Sequence, residues 1–282
     1  MAGLKRLFER FRRRSYGRRP PLILVNGLAE QSECWFRNRR FWSRYFDVYM
    51  PNLIVYDGPV VQSRIAAKQP IDVPFLVEQL HTYLTQFVQT PPYNFCSSSL
   101  GGKVAVEFAA KYPEMVNRVV LLCPSGMGDV EKLPIKEGLR GDQKSMANVV
   151  KSAFHNVDTA DRGMLRFYIG AINDRKWKKG LVRVANDTRE HTVRSRLKDV
   201  RAVTLLVTGE NDEVCDPKTA AEAARELPNG HFLEIPNCGH APMIERHWLI
   251  NRLVTHFLTS SRPTAHPRWS QLLLSKPSRA AK

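Results

Sequence analysis

Short aliphatic runs alternate along this chain with stretches in which apolar side chains recur at helical spacing. Leu22-Ile23-Leu24-Val25 is apolar at every position, the pattern of a strand covered on both faces, and Asn26-Gly27 ends it in a tight turn. Leu53 to Tyr56 predicts a second strand. Leu76, Leu80, Tyr83, Leu84 and Phe87 then line one face of a helix over Val73 to Val88, with Pro74 in a first turn where its missing N–H costs nothing. Tyr93 to Cys96 reads as the next strand, and Val104, Ala105 and Phe108 mark a helix that stops before Pro113. Val119 to Cys123, Val203 to Val207 and the shorter Phe232 to Ile235 add strands, and Leu249, Leu253 and Phe257 stripe a last helix, Trp248 to Leu258. Strands buried on both faces and separated by helices imply parallel pairing. The expected class is α/β, a mostly parallel central sheet flanked by helices.

This rhythm fails between about 128 and 200, where Met146, Val149, Val150, Phe154, Leu165, Phe167 and Ile169 recur at roughly helical intervals without a buried strand. The expected organisation is a helical cap, residues 128–199, inserted into a core of residues 20–127 and 200–261. The underside of such a cap would help select substrates. Its excess of Lys and Arg suits an anionic substrate or acidic carrier, or simply keeps exposed helices in solution.

Charge adds two tails to this picture. The formal net charge is +16 over 282 residues, but residues 1–19 hold eight Lys and Arg against Glu9, and residues 262–282 hold five with no acid. A basic leader and a basic, flexible C-terminal tail therefore flank a nearly balanced body. Leu4, Leu7, Phe8 and Phe11 share one helical face of the leader among Lys5, Arg6, Arg10 and Arg12 to Arg14, a composition that can rest on an anionic membrane surface. The same stretch reads equally as a solvated leader or an Arg-rich transit peptide. No run reaches the ~18 apolar residues of a membrane span, so the expected location is the cytoplasm, with peripheral membrane contact through residues 1–19. The tails lack a recognition motif or interleaved aromatics, and no specific nucleic-acid binding is expected. Cys34, Cys96, Cys123, Cys215 and Cys238 are odd in number and far apart, which predicts reduced, buried thiols. No metal-ligand or Walker-type spacing occurs, and Gly126-Met127-Gly128 lacks the third glycine of a dinucleotide loop, so neither metal nor cofactor is expected.

The chemistry concentrates at Cys96-Ser97-Ser98-Ser99-Leu100-Gly101-Gly102, where a strand turns sharply into a helix. A nucleophile held in such an elbow needs small residues two positions before and after it, because the chain passes close to itself. Ser97 would have Phe95 before it and Ser98 would have Leu100 after it, whereas Ser99 is flanked by Ser97 and Gly101. Ser99 is the expected nucleophile, with Gly102 allowing close helix–sheet packing. A serine hydroxyl needs a base, and that base needs a carboxylate to orient it. Asp212 follows the strand Val203 to Val207 and is the expected acid, with Glu210 and then Asp216 as rivals. His240, behind a glycine in Asn237-Cys238-Gly239-His240, is the expected base, the other seven histidines falling in helices, the cap, a strand or the tail.

Ser99, Asp212 and His240 in this order, with their flanking segments from Pro21 to Leu258, resemble an α/β-hydrolase. The resemblance implies an acyl-enzyme mechanism on a small-molecule acyl substrate and an oxyanion hole made by the backbone N–H groups of Leu28 and Leu100. Many members have His-Gly where this chain has Asn26-Gly27; the turn glycine, Gly27, is kept, but the local hydrogen bonding must differ. Trp35 matches a tryptophan common after that loop, though a core role also explains it. Serine at position 99 argues against the aspartate nucleophile of haloalkane dehalogenases and epoxide hydrolases. Cys123-Pro124-Ser125-Gly126-Met127-Gly128 has some similarity to the segment leading into the cap of hydrolases that cleave carbon–carbon bonds of ring-fission products. The expectation is a serine hydrolase of carboxylic esters or similar acyl bonds. A C–C hydrolase of a vinylogous diketone and a non-catalytic binding protein of the same fold are the alternatives.

Overall fold

Tyr93–Ser98 is buried at all six positions, which places it in the middle of a sheet covered on both faces. The computed structural model describes residues 19–30, 32–88, 91–128, 151, 153–159, 171, 173–268 and 272. Among these, the strands are β1 (Pro21–Val25), β2 (Asp47–Tyr49), β3 (Tyr93–Ser98), β4 (Val116–Leu122), β5 (Val203–Gly209) and β6 (Gly230–Ile235). They form one sheet in the order β2-β1-β3-β4-β5-β6, every neighbour parallel. The helices are α1 (Arg39–Trp42), α2 (Pro59–Ala66), α3 (Val73–Phe87), α4 (Leu100–Lys111), α5 (Arg175–Arg189), α6 (Pro217–Glu226), α7 (Pro242–Glu245) and α8 (His247–Thr259).

Side chains alternate across the strands and so divide the core in two. Ile23, Val25, Phe95, Val119, Leu121 and Leu206 face one layer with α3, α4, α5 and α6. Leu22, Leu24, Cys96, Val120, Leu122, Leu205 and Val207 face the other, with Trp35, Trp42 and the apolar stripe of α8. Because every strand runs in the same direction, the loops after β1, β3, β5 and β6 gather at the carboxyl ends of the strands.

Leu53 to Tyr56 is not a strand. The second strand lies earlier, pairing Asp47 to Tyr49 with Pro21 to Ile23, and Pro51, which has no N–H to give a ladder, follows it closely. The apolar run is instead an unpaired segment that buries Ile54 and Tyr56 while Val55 stays 47% exposed. Tyr56 earns its burial by accepting a hydrogen bond from Ala29 N at 2.8 Å.

Most apolar positions of segment 128–199 that predicted a cap, along with the leader and most of the C-terminal tail, lie outside the described residues. Its last part is described: α5 buries Trp177, Leu181 and Val184 against the first core layer. Gly180 is obligatory there, because a Cβ would meet Tyr56 O at 2.2 Å. Lys103 on α4, fully buried, donates to Thr188 O at 2.9 Å and so caps the carboxyl end of α5, where a cation suits the helix dipole. No helix among the described residues is long and apolar enough to cross a membrane. All five cysteines are free and buried.

Candidate active site

Ser99 is the residue that turns β3 into α4, and it does so at φ 47° and ψ −120°, a region that side chains normally avoid. The strain is held from both sides: Ser99 N donates to Leu122 O at 3.1 Å, and Ser99 O accepts from Gly102 N at 2.8 Å and Ser125 N at 3.1 Å. The turn brings α4 against the loop after β1. A Cβ on Gly101 would lie 2.4 Å from Val25 O and 2.8 Å from Asn26 O, and one on Gly102 would lie 2.7 Å from Pro124 Cβ. Gly101→Ala should therefore destabilise the protein by about 3 kcal/mol, since backbone cannot yield as a side-chain tip does. A chemical-denaturation curve indistinguishable from that of the parent protein would contradict this close approach.

Asp212 and His240 meet at the carboxyl ends of β5 and β6. His240 Nδ1 lies 2.9 and 3.0 Å from the two oxygens of Asp212, and both residues are buried. Asp212 Oδ1 also accepts Val214 N at 2.9 Å and Cys215 N at 3.0 Å, which fixes the carboxylate. Gly209 lets the two loops pack, because a Cβ there would lie 2.3 Å from the carbonyls of Cys238 and Gly239. The rival acids have other partners: Glu210 accepts Asn237 N at 3.0 Å, and Asp216 caps α6 through Lys218 N and Thr219 N. Burial disfavours a charged imidazole, but the Asp212 carboxylate outweighs it and raises His240 well above its usual value. Burial likewise pushes Asp212 up, and the imidazole with the two amides overcomes it and holds the carboxyl below its usual range. The other ring nitrogen, Nε2, is buried and has no hydrogen-bond partner among the described residues.

The loop after β1 is organised by a residue that the sequence patterns did not single out. Glu30 Oε2 accepts Gly27 N at 2.6 Å, its Oε1 accepts the Ser98 hydroxyl at 3.2 Å, and burial raises its pKa against the lowering effect of Gly27 N–H, His240 and Ser98. Asn26, standing where relatives of this fold often have histidine, donates through Nδ2 to Glu30 O at 2.9 Å and so ties the loop from its other side. With Gly27 N on Glu30 and Ala29 N on Tyr56, Leu28 N–H is left without an acceptor among the described residues. Leu100 N–H, in the first turn of α4, has no intrahelical acceptor by geometry. Trp35 is fully buried, its ring 6.0 Å from Trp42, in the second core layer.

Cys123, expected from the sequence as a strand end, a buried thiol and the start of a cap-entry-like segment, sits at φ 45° directly after β4 with its Sγ among Asp212 and His240, all three donor atoms within 4.8 Å of one another. These are the only described residues grouped in a way that could ligate a metal. The donor set favours proton transfer instead: Nδ1 is engaged by Asp212, and burial beside that carboxylate pushes the Cys123 thiol up to about 12.

Residues 22–252 match the sequence profile of the alpha/beta hydrolase family. The chain belongs to that family. It is 21% identical over 278 residues to monoacylglycerol lipase abhd6-B of Xenopus laevis, covering 88% of this chain and 78% of that protein. It is 26% identical over 251 residues to the pimeloyl-[acyl-carrier protein] methyl ester esterase of Nitrosospira multiformis, covering 82% and 91%. Among solved structures it resembles carboxylesterase CesB of Bacillus subtilis, with a TM-score of 0.73, 19% identity and coverage of 86% and 84%. It also resembles the meta-cleavage product hydrolase CumD of Pseudomonas fluorescens, with a TM-score of 0.71, 18% identity and coverage of 87% and 93%. This α/β-hydrolase is a hydrolytic enzyme.

Proposed function

We propose that this hydrolase cleaves carboxylic esters through Ser99, His240 and Asp212. The observation that carries the reading is the buried, unpartnered Nε2 of a histidine whose other nitrogen is held by a buried aspartate, at the same sheet end as a serine held in a strained elbow. Ser99 Oγ attacks the ester carbonyl while His240 Nε2 takes its proton. The tetrahedral oxyanion is received by the N–H groups of Leu28 and Leu100. The imidazolium then protonates the departing alkoxide, leaving an acyl-Ser99. Water, deprotonated by His240, releases the acid and restores Ser99. Asp212 holds the ring in the tautomer that presents Nε2 as acceptor and stabilises the imidazolium. Glu30 and Asn26 keep the loop carrying Leu28 in shape.

Segment 128–199 is proposed as the cap over this site. Supporting it, Ala153 O accepts His240 N at 2.8 Å, and a Cβ on Gly239 would lie 2.6 Å from His155 N, so residues of this segment press directly on the histidine loop. The relatives named as lipase and methyl ester esterase support ester substrates. The match to a meta-cleavage product hydrolase keeps a ring-fission dienone as the second substrate to try. The test is a panel of acyl esters of graded chain length, monoacylglycerols and a ring-fission dienone. Turnover of esters with the dienone untouched is expected; dienone cleavage without ester turnover would overturn the ester reading.

A further inference from the structure

The helical layer formed by α1 and α8 carries an outward face in which arginines and aromatic rings interleave. Phe36 is 37% and Trp248 44% exposed, two of the five large apolar side chains that the described residues leave in solvent. The Arg252 guanidinium lies 4.0 Å from the centre of the Trp248 ring and 5.5 Å from that of Phe41. Arg44 lies 5.7 Å from Phe41, and Arg37 lies 5.3 Å from Phe36. Arg39, Arg40 and Arg44 are exposed. A buried polar bracket holds the two helices in register beneath these rings: Asn38 Nδ2 donates to Asn251 Oδ1 at 2.8 Å, Asn251 Nδ2 to Arg37 O at 3.0 Å, and Trp42 Nε1 to Asn251 O at 3.1 Å. The face is thus a rigid feature of the fold.

Its charge is one-sided. There is no Asp or Glu from Cys34 to Phe46, nor from Arg246 to the end of the chain, and Glu33 and Asp47 bound the first of these segments. Both basic tails join the fold here. Arg19, the last residue of the leader, hydrogen-bonds the carbonyl of Ser43 at the end of α1, and the C-terminal tail continues directly from α8. Nothing in ester chemistry requires cations on this flank.

We infer that the α1–α8 face docks the enzyme onto an anionic lipid surface, with Arg40, Arg44 and Arg252 meeting headgroup phosphates and Phe36 and Trp248 entering the interfacial layer. Aromatic rings and guanidinium groups suit that boundary, where one end of the side chain is apolar and the other wet. The two tails add charge to a face that already has the right chemistry, which distinguishes this surface from attachment by the leader alone.

The test is co-sedimentation of the full chain with vesicles of phosphatidylcholine and phosphatidylglycerol in equal parts, and with vesicles of phosphatidylcholine alone. The protein is expected to bind the first and not the second. Arg40→Gln with Arg44→Gln should lower partitioning about 25-fold, at about fivefold for each basic residue near such a surface. Phe36→Ser with Trp248→Ser should weaken binding several-fold, and both variants should keep the circular-dichroism melting curve of the parent. Failure of the parent chain to bind, or binding by both variants at the parent level, would overturn the inference. A dimer dissociated by the same substitutions, without vesicle binding, would assign the face to a second copy instead.

Discussion

Ser99→Ala is expected to lower kcat for ester hydrolysis by about 10⁶-fold, His240→Ala by a comparable factor, and the double variant by no more than either. The members act as a unit: without Nε2 the hydroxyl keeps its proton, and without the hydroxyl the base has nothing to activate. The fold should survive, because the contacts that hold position 99 are made by its backbone N–H and C=O. A further comparison separates chemistry from structure. Ser99→Gly should be equally inactive yet about 1 kcal/mol more stable than Ser99→Ala, since φ 47° strains any residue with a Cβ. Ester turnover by Ser99→Ala at even a hundredth of the parent rate would point to another nucleophile.

Asp212→Asn should cost about 10⁴-fold in kcat, because an amide that donates to Nδ1 places the ring proton on Nε2, where a proton must be accepted. The pH dependence carries a sign. In the proposed mechanism His240 acts as the neutral ring, and Asp212 raises its pKa well above 6.5. The rate should therefore be full at alkaline pH and lost as pH falls through a value above the ordinary imidazole range. Removing the carboxylate charge should move that acid limb to lower pH even as the plateau drops. A limb that stays in place in Asp212→Asn would mean that Asp212 does not set the titration of the base.

The sheet was legible because β1, β4 and β5 carry near-continuous aliphatic runs, as strands covered on both faces do, and β3 and β6 carry shorter apolar stretches. Leu53 to Tyr56 carried the same signal for another reason: Ile54 and Tyr56 are buried as loop anchors, while the true edge strand, Asp47–Tyr49, is short and only half-buried and so left little pattern. The strained elbow at position 99 was legible, since only one of the three serines there has small neighbours on both sides. Glu30 was not legible, because an acid in a loop ordinarily faces solvent and its pairing with Gly27 N and Ser98 depends on a turn that brings them together. Its one signal was a carboxylate set directly after the apolar Leu28-Ala29, the first of two, with Glu33, before Trp35. Cys123 was hidden by its backbone: a non-glycine residue at φ 45° gives no composition cue.

The most direct measurement is labelling of the pure protein by a fluorophosphonate, with the adduct located by mass spectrometry. A serine becomes phosphonylated quickly only when a base activates it and an oxyanion hole receives the charge. Labelling confined to Ser99, and absent in His240→Ala, is the predicted result. Labelling at another serine, or labelling of Ser99 that persists undiminished without His240, would contradict the triad.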